Sequence, residues 1–274
     1  MTPCDLWPYL RGRTTWIIGD SQALDFHIAL ECFMKEFWGL EETPMTDDQA
    51  VLDKFIAIAS IAGHDVPHCE VLPEHSRICF IRANNGNDTI NVAMPLLEQG
   101  LAKPEDVMVV NFGLHHREEA AYVELLQRFV QQYEQNKARF PNIIWKDTAP
   151  QHFKTQTGLH EKGLGQPPFE CAPIANVSIQ PDHVLTASHA GQEAVLRGSW
   201  RNELANELIR NAGMPIIEGW NETVPLWEYH RDNVLRGYEC GHYCHPSASE
   251  VWVFQLYETL KAHIAPLSTH SLQQ

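Results

Sequence analysis

Glu239, Cys240, His242, Cys244 and His245 crowd into one short segment, "GYECGHYCHPSASEVW". Three chemistries suit such a cluster. Zinc would want Cys and His ligands, but C-x-H-x-C-H lacks the usual C-x₂₋₄-C loop spacing and has no second cysteine pair to complete it. No metal and no cofactor are therefore expected. A disulfide-pinned loop with solvent-facing histidines is the structural alternative. The catalytic reading makes a histidine, with a carboxylate three residues before it, the general base for a nucleophile elsewhere in the chain. Near the other end, "TTWIIGDSQALDFHIALECF" breaks an apolar run at Gly19-Asp20-Ser21 and begins an amphipathic stretch on a serine. A hydroxyl is a poor nucleophile until a base accepts its proton, and the N-terminus of a helix offers free N–H groups and a favourable dipole to a developing oxyanion. The competing explanation is plain capping, because Asp and Ser are also what any helix start prefers.

The elements that would position these groups alternate. Apolar, β-rich runs occur at "TTWII", "RICFIRA", "DVMVVNF", "NIIWKD" and "MPIIEG", and their near-continuous hydrophobicity suits strands covered on both faces. Helical periodicity lies between them at roughly 22–38, 47–62, 117–138 and 196–212, with a last helix near 248–264. Such alternation predicts a three-layer α/β/α sandwich around a central, mostly parallel five-stranded sheet. In sheets of this kind ligands bind beyond the carboxyl ends of the strands. The segments to watch are therefore Gly19-Asp20-Ser21, Asn111 to His116, and Thr148 to Phe153. His115, His116 and His152 are each read either as hydrogen-bonded or surface histidines or as substrate-positioning residues. Adjacent His115 and His116 diverge on any regular element, so they make a poor metal pair. Gly86, in "NNGND", is either a tight turn or a second oxyanion amide. Trp145, Trp220, Trp227 and Trp252 are read as packing residues ahead of sugar-stacking platforms.

Composition narrows the partners. The 274 residues form one expected domain, 1–274, with an irregular insertion at about 154–195 where no periodicity appears. With 35 acidic against 20 basic side chains the formal charge is −15, which argues against nucleic acid and against anionic lipid surfaces. No apolar run reaches the length of a membrane span, and "MTPCDLWPYLRGRTTW" lacks the basic-then-apolar order of a signal peptide, so a soluble chain is expected. Seven cysteines, and sequons at Asn87, Asn176 and Asn221, tilt the expectation towards a secretory route.

Several blocks in order, "CDLWPYLRGRTTWIIGDSQALDFHIALECF", "VVNFGLHH", "DTAPQHF", "MPIIEGWNETVPLWEYHRD" and "CGHYCHPSASEVWVFQLYETL", give the chain a resemblance to the trichome-birefringence-like and PC-esterase proteins. That group is a branch of the SGNH (GDSL-like) hydrolase superfamily. The resemblance implies Ser21 as nucleophile, His242 as base, and Asn111 as an oxyanion donor. Cys240 and Cys244 match cysteines that are usually in disulfides in that group, and the implied location is the Golgi lumen or the extracellular space. Glu239 stands where the D-x-x-H motif has aspartate, one methylene longer. Asn111, Asp20, Gly86, His115, His116 and His152 make up the expected oxyanion and substrate-binding set. The leading expectation is an O-acetyltransferase that passes an acyl group through Ser21 to a carbohydrate hydroxyl, its partners being an acyl donor and a carbohydrate acceptor. An esterase with the same residues, and a catalytically silent carbohydrate-binding protein, are the alternatives.

Overall fold

Strand β1 (Thr14–Gly19) is buried at every position, as a strand covered on both faces must be. It lies inside a sheet of a computed structural model that describes residues 1–35, 48–63, 68–155, 157–160, 164, 168–174, 177–179, 185–187, 198–233 and 237–267. The other strands are β2 (His68–Leu72), β3 (Ser76–Arg82), β4 (Val107–Val110), β5 (Asn142–Lys146), β6 (Val177–Ile179), β7 (Leu185–Ala187), β8 (Ile216–Ile217), β9 (His230–Asn233) and β10 (Gly237–Tyr243). The central sheet has six strands in the order β2-β3-β1-β4-β5-β8. All its neighbours run parallel except the β2–β3 pair.

The helices are α1 (Pro3–Leu10), α2 (Ser21–Lys35), α3 (Gln49–Ser60), α4 (Gly86–Glu98), α5 (Glu119–Asn136), α6 (Ser199–Asn211), α7 (Trp220–Thr223) and α8 (Ala248–His263). Alternate strand residues feed two separate cores. Trp16, Ile18, Ile81, Val110 and Trp145 pack under α3, α4, α5 and α6. Ile17, Ile78, Phe80, Val109 and Ile144 pack against α1, α2 and α8. The period-two alternation of a pleated strand thus serves both outer layers, and the fold is the three-layer α/β/α sandwich expected.

The sheet gains a sixth strand over the five expected. The added strand, β2, is a short, partly polar edge strand, antiparallel to β3 through a tight turn in which Glu74 and His75 take positive φ. Helix α4 also departs from the periodicity reading. Gly86 opens it and Pro95 lies within it, both of which read as breakers in sequence, yet burial of Ile90, Val92, Ala93, Leu96 and Leu97 holds it helical.

Topology fixes where a ligand can sit. The chain leaves β1 for β3 on one side and then crosses to β4 on the other, so the winding reverses at β1. A crevice opens outside the carboxyl end of the strand where that happens. Ser21 follows that end directly.

Part of the insertion expected at 154–195 is described: Phe153 bridges Cys171, and β6 pairs with β7. Asn176 lies outside the described residues. Among the described residues no helix is long and apolar enough to cross a membrane. Disulfides join Cys69 to Cys79 and Cys171 to Cys240, a chemistry of oxidising compartments. Cys240 is bonded to Cys171, whereas Cys244, implied as a disulfide cysteine by the resemblance, is an exposed free thiol.

The junction from β1 into α2 has no room for a side chain. A Cβ on Gly19 would lie 2.7 Å from both Ala23 Cβ and Asn111 O. Gly19→Ala is expected to lose about 1–3 kcal/mol through overpacking. Chemical denaturation measures this, and wild-type stability would show that the junction yields.

Candidate active site

Asp20 settles which residue caps α2. Its Oδ1 accepts from Gln22 N at 2.9 Å and its carbonyl accepts from Leu24 N at 3.1 Å, so Asp20 is the cap and Ser21 the first helical residue. The Ser21 hydroxyl is therefore released from capping. It lies 2.5 Å from His242 Nε2, across a separation of 221 residues.

His242 is carried by β10, which pairs antiparallel with β9. The register slips between Glu239, opposite Arg231, and Tyr243, opposite His230. In a regular strand residues three apart point to opposite faces, so Glu239 and His242 could not meet. The bulge brings Glu239 Oε1 to 3.0 Å from His242 Nδ1, a close charge contact whose angle is poorer than that of a linear hydrogen bond. The extra methylene of glutamate thus reaches where an aspartate would be expected to act.

Each carbonyl of the bulge is held. Cys240 O accepts from His152 N at 2.8 Å. Gly241 O accepts from Gln22 Nε2 at 3.0 Å, and His242 O lies 2.7 Å from His230 Nδ1. Burial pushes the pKa of His242 down, but the Glu239 contact and the Asp25 charge outweigh it and hold the imidazole above its ordinary value. Arg231 opposes that rise.

Beside His242 opens a cleft of about 280 Å³, lined among others by His115, Arg117, Gln151, Arg201 and Glu239. His115 is the expected substrate residue that reaches it. Burial of its ring holds its pKa below the usual value, with Arg82, His242 and Arg201 adding to the effect and Asp20 opposing it.

The remaining expected residues turn elsewhere. Asn111 is 2 % exposed, and its amide donates to Lys146 O at 2.7 Å and Thr148 Oγ1 at 3.1 Å, so both of its N–H groups are engaged in tying β4 to the end of β5. In this arrangement it braces the two strand ends. Gly86 N donates to His116 Nε2 at 3.2 Å, and a Cβ there would meet Leu125 Cβ at 2.9 Å. Gly86 thus starts α4 under close packing and supplies neither a free amide nor a tight turn.

His116 is occupied by that contact and lies edge-on to Phe112, while its carbonyl accepts from Arg201. Burial lowers its pKa to about 4. Asp20 and His152 are both 0 % exposed. His152 lies 2.7 Å from both His230 Nε2 and Val224 O and acts as an internal link.

The terminal Cys/His cluster also disperses. Cys240 is in a disulfide, His242 faces Ser21, and His245 pairs with Glu250 at 2.8 Å. Trp145 and Trp252 are core residues.

Sequence reasoning passed over Gln22, Asp25, Arg201 and Arg231. Gln22 and Asp25 sit one and four positions after Ser21, where a helix start makes polar residues unremarkable. Arg201 and Arg231 carry no local pattern at all, and only the fold brings them to the site.

No protein-family model and no curated protein matches the chain. Among solved structures it is similar to protein YxiM from Bacillus subtilis, at 13 % identity and a TM-score of 0.45, covering 94 % of this chain and 59 % of that one. The chain thus spans about three fifths of YxiM. It is also similar to an alpha/beta hydrolase enzyme from the metagenome of Lake Arreo, Spain, at 11 % identity and a TM-score of 0.41, covering 95 % and 99 % of the two chains. A mutant of an acetyl-xylooligosaccharide esterase from Geobacillus aligns at 10 % identity and a TM-score of 0.41, covering 94 % and 98 %.

With Glu239 neutralised, Asp25 alone still opposes burial and Arg231 at His242, so Glu239→Gln is expected to move its titration to lower pH. Following the His242 ring protons by NMR against pH checks the sign; an unmoved midpoint would detach Glu239 from the imidazole. Asn111→Ala leaves two buried acceptors without donors and is expected to cost about 1–3 kcal/mol of stability. Calorimetry reads it, and a fully stable variant with an inert Ser21 would restore the oxyanion role.

Proposed function

We propose that the chain is a serine-dependent enzyme of acyl esters, an SGNH-type carbohydrate esterase in which Ser21 is the nucleophile, His242 the general base and Glu239 the residue that orients it. The observation carrying this reading is the 2.5 Å approach of Ser21 Oγ to His242 Nε2, with Glu239 behind the same imidazole. His242 Nε2 takes the hydroxyl proton as Ser21 Oγ bonds to the ester carbonyl carbon. The oxyanion forms beside the Ser21 amide at the start of α2, where the helix dipole favours negative charge, the Gln22 amide being held by Asp20. His242 then returns the proton to the departing alkoxide, the carbonyl–oxygen bond of the ester breaks, and the acyl group remains on Ser21. A water deprotonated by the same nitrogen attacks the acyl carbon, the bond from that carbon to Ser21 Oγ breaks, and His242 returns the proton to Oγ as the free acid leaves.

The lining of His115, Gln151, two arginines and Glu239 suits a hydroxyl-rich ligand better than a lipid chain. Half-exposed Glu239 puts water at the base, which favours hydrolysis as the fate of the acyl-enzyme. Transfer of an acetyl group to a carbohydrate hydroxyl is the second reading, supported by the sequence blocks shared with the trichome-birefringence-like and PC-esterase proteins. It follows the same steps with a sugar hydroxyl in place of water. Two disulfides and the exposed sequon asparagines Asn87 and Asn221 support a secretory location.

A fluorophosphonate probe is expected to label Ser21 in the wild-type protein and to fail on Ser21→Ala and His242→Ala. Intact-mass spectrometry after incubation with an acetyl ester separates the two fates, since the added acetyl mass either hydrolyses in water or moves to an added glycan. Absence of labelling in folded wild-type protein would leave only the silent binding protein.

A further inference from the structure

Arg201, on α6, is 6 % exposed and lines the cleft that holds His242. Its Nε and Nη2 both donate to His116 O, at 3.0 and 2.7 Å, and its guanidinium lies over the Trp200 ring at 4.7 Å. A neutral carbonyl and an aromatic face position a cation without neutralising it. Among the described residues no carboxylate comes within ion-pair distance of Arg201; Asp20, itself buried, attracts it only from farther off. A buried cation is normally paired, because desolvation of the charge is otherwise uncompensated.

Arg117 lines the same cleft and is exposed. Its charge opposes that of Arg201, and both burial and this repulsion lower the Arg201 pKa. Among the described residues lining the cleft the carboxylate is Glu239, which is turned to His242. In a chain of formal charge −15, two like cations lining one polar cleft is the reverse of the surface average.

We propose that the cleft beside Ser21 takes a substrate bearing an anionic group, a carboxylate or phosphate on the sugar, held by the guanidinium N–H groups of Arg201 that His116 O leaves free and by the exposed Arg117. The anion supplies the counter-charge that Arg201 lacks in the protein itself, and Arg117 adds steering at the mouth. Only the position of the anion next to a scissile ester rests on Ser21 being the nucleophile; the binding does not.

The test uses folded Ser21→Ala protein, so that binding is read without turnover. Calorimetry or ligand-observed NMR compares glucuronate and glucose 6-phosphate with glucose at low and high salt. At least one anion is expected to bind about tenfold or more tightly than glucose, with the preference shrinking as salt screens the contacts. The stronger of the two anions identifies carboxylate or phosphate as the preferred group. Arg117→Gln, a surface change, is expected to cut the anion preference several-fold, and Arg201→Lys to weaken it while keeping charge, because lysine cannot reproduce the fork. Equal affinity for the three ligands, no detectable anion binding, or a preference indifferent to salt and to both substitutions would overturn the proposal. Anion binding with an unlabelled wild-type Ser21 would remove the nucleophile reading alone, whereas a labelled Ser21 without anion preference would remove this inference alone.

Discussion

One buried side-chain amide holds the two ends of this chain in register. Gln22 is 1 % exposed; its Nε2 donates to Gly241 O at 3.0 Å and its Oε1 accepts from Ala149 N at 2.9 Å. An amide at that depth must find partners for both ends, or the desolvation of the orphaned group opposes folding. Satisfying Gln22 therefore brings the start of α2, the bulge of β10 and the segment after β5 to one point. The hydroxyl of Ser21 and the imidazole of His242 flank the two ends of that link in sequence. A second tie, from Asp25 through Arg231 to Tyr243 O, fixes α2 against β10 one turn farther along. With two attachments the helix can neither slide nor rotate past the strand, and a hydroxyl–imidazole contact needs that restriction.

The same constraint explains the treatment of the neighbouring histidines. His152 and His230 are packed into the interior, where burial drives their pKa values down to about 3 and about 4. Burial favours their uncharged forms, whose two N–H groups go to Val224 O and His242 O while the two rings pack against each other with centroids 4.9 Å apart. His242, a short distance away, is moved in the opposite direction by carboxylates. One residue type thus carries two jobs, sorted by whether a carboxylate or a carbonyl faces the ring.

The strands were legible because their apolar runs are nearly unbroken, and their mostly parallel pairing followed from the alternation with helices. That was enough to place Ser21 and the segments after β4 and β5 at one end of the sheet. Which way each side chain turns there was not legible. Asn111 looks inward because Lys146 O and Thr148 Oγ1 come from a different strand end, and His152 because Val224 and His230 come from beyond the insertion. Gly86 read as a turn since glycine and asparagine dominate turns, whereas close approach of Leu125 and Phe112 is what demands glycine. Glu239 shows the converse. Its spacing from His242 contradicts strand periodicity, so their convergence required a bulge that no local pattern announced.

Glu239 is also half exposed, so solvent screens its charge and a further rotatable bond weakens its hold on the imidazole. The field at His242 is not left to that residue alone. Asp25 is 4 % exposed and lies one helical turn beyond Ser21; burial raises its own pKa, and the Arg231 guanidinium works against that rise. Ionised Asp25 in turn favours the protonated His242. Arg231 consequently acts in both directions, opposing the imidazolium by its own charge while maintaining the buried carboxylate that supports it. The flexible, water-facing glutamate supplies direction at the Nδ1 edge, and the rigid, desolvated aspartate supplies a charge that salt and side-chain motion disturb less.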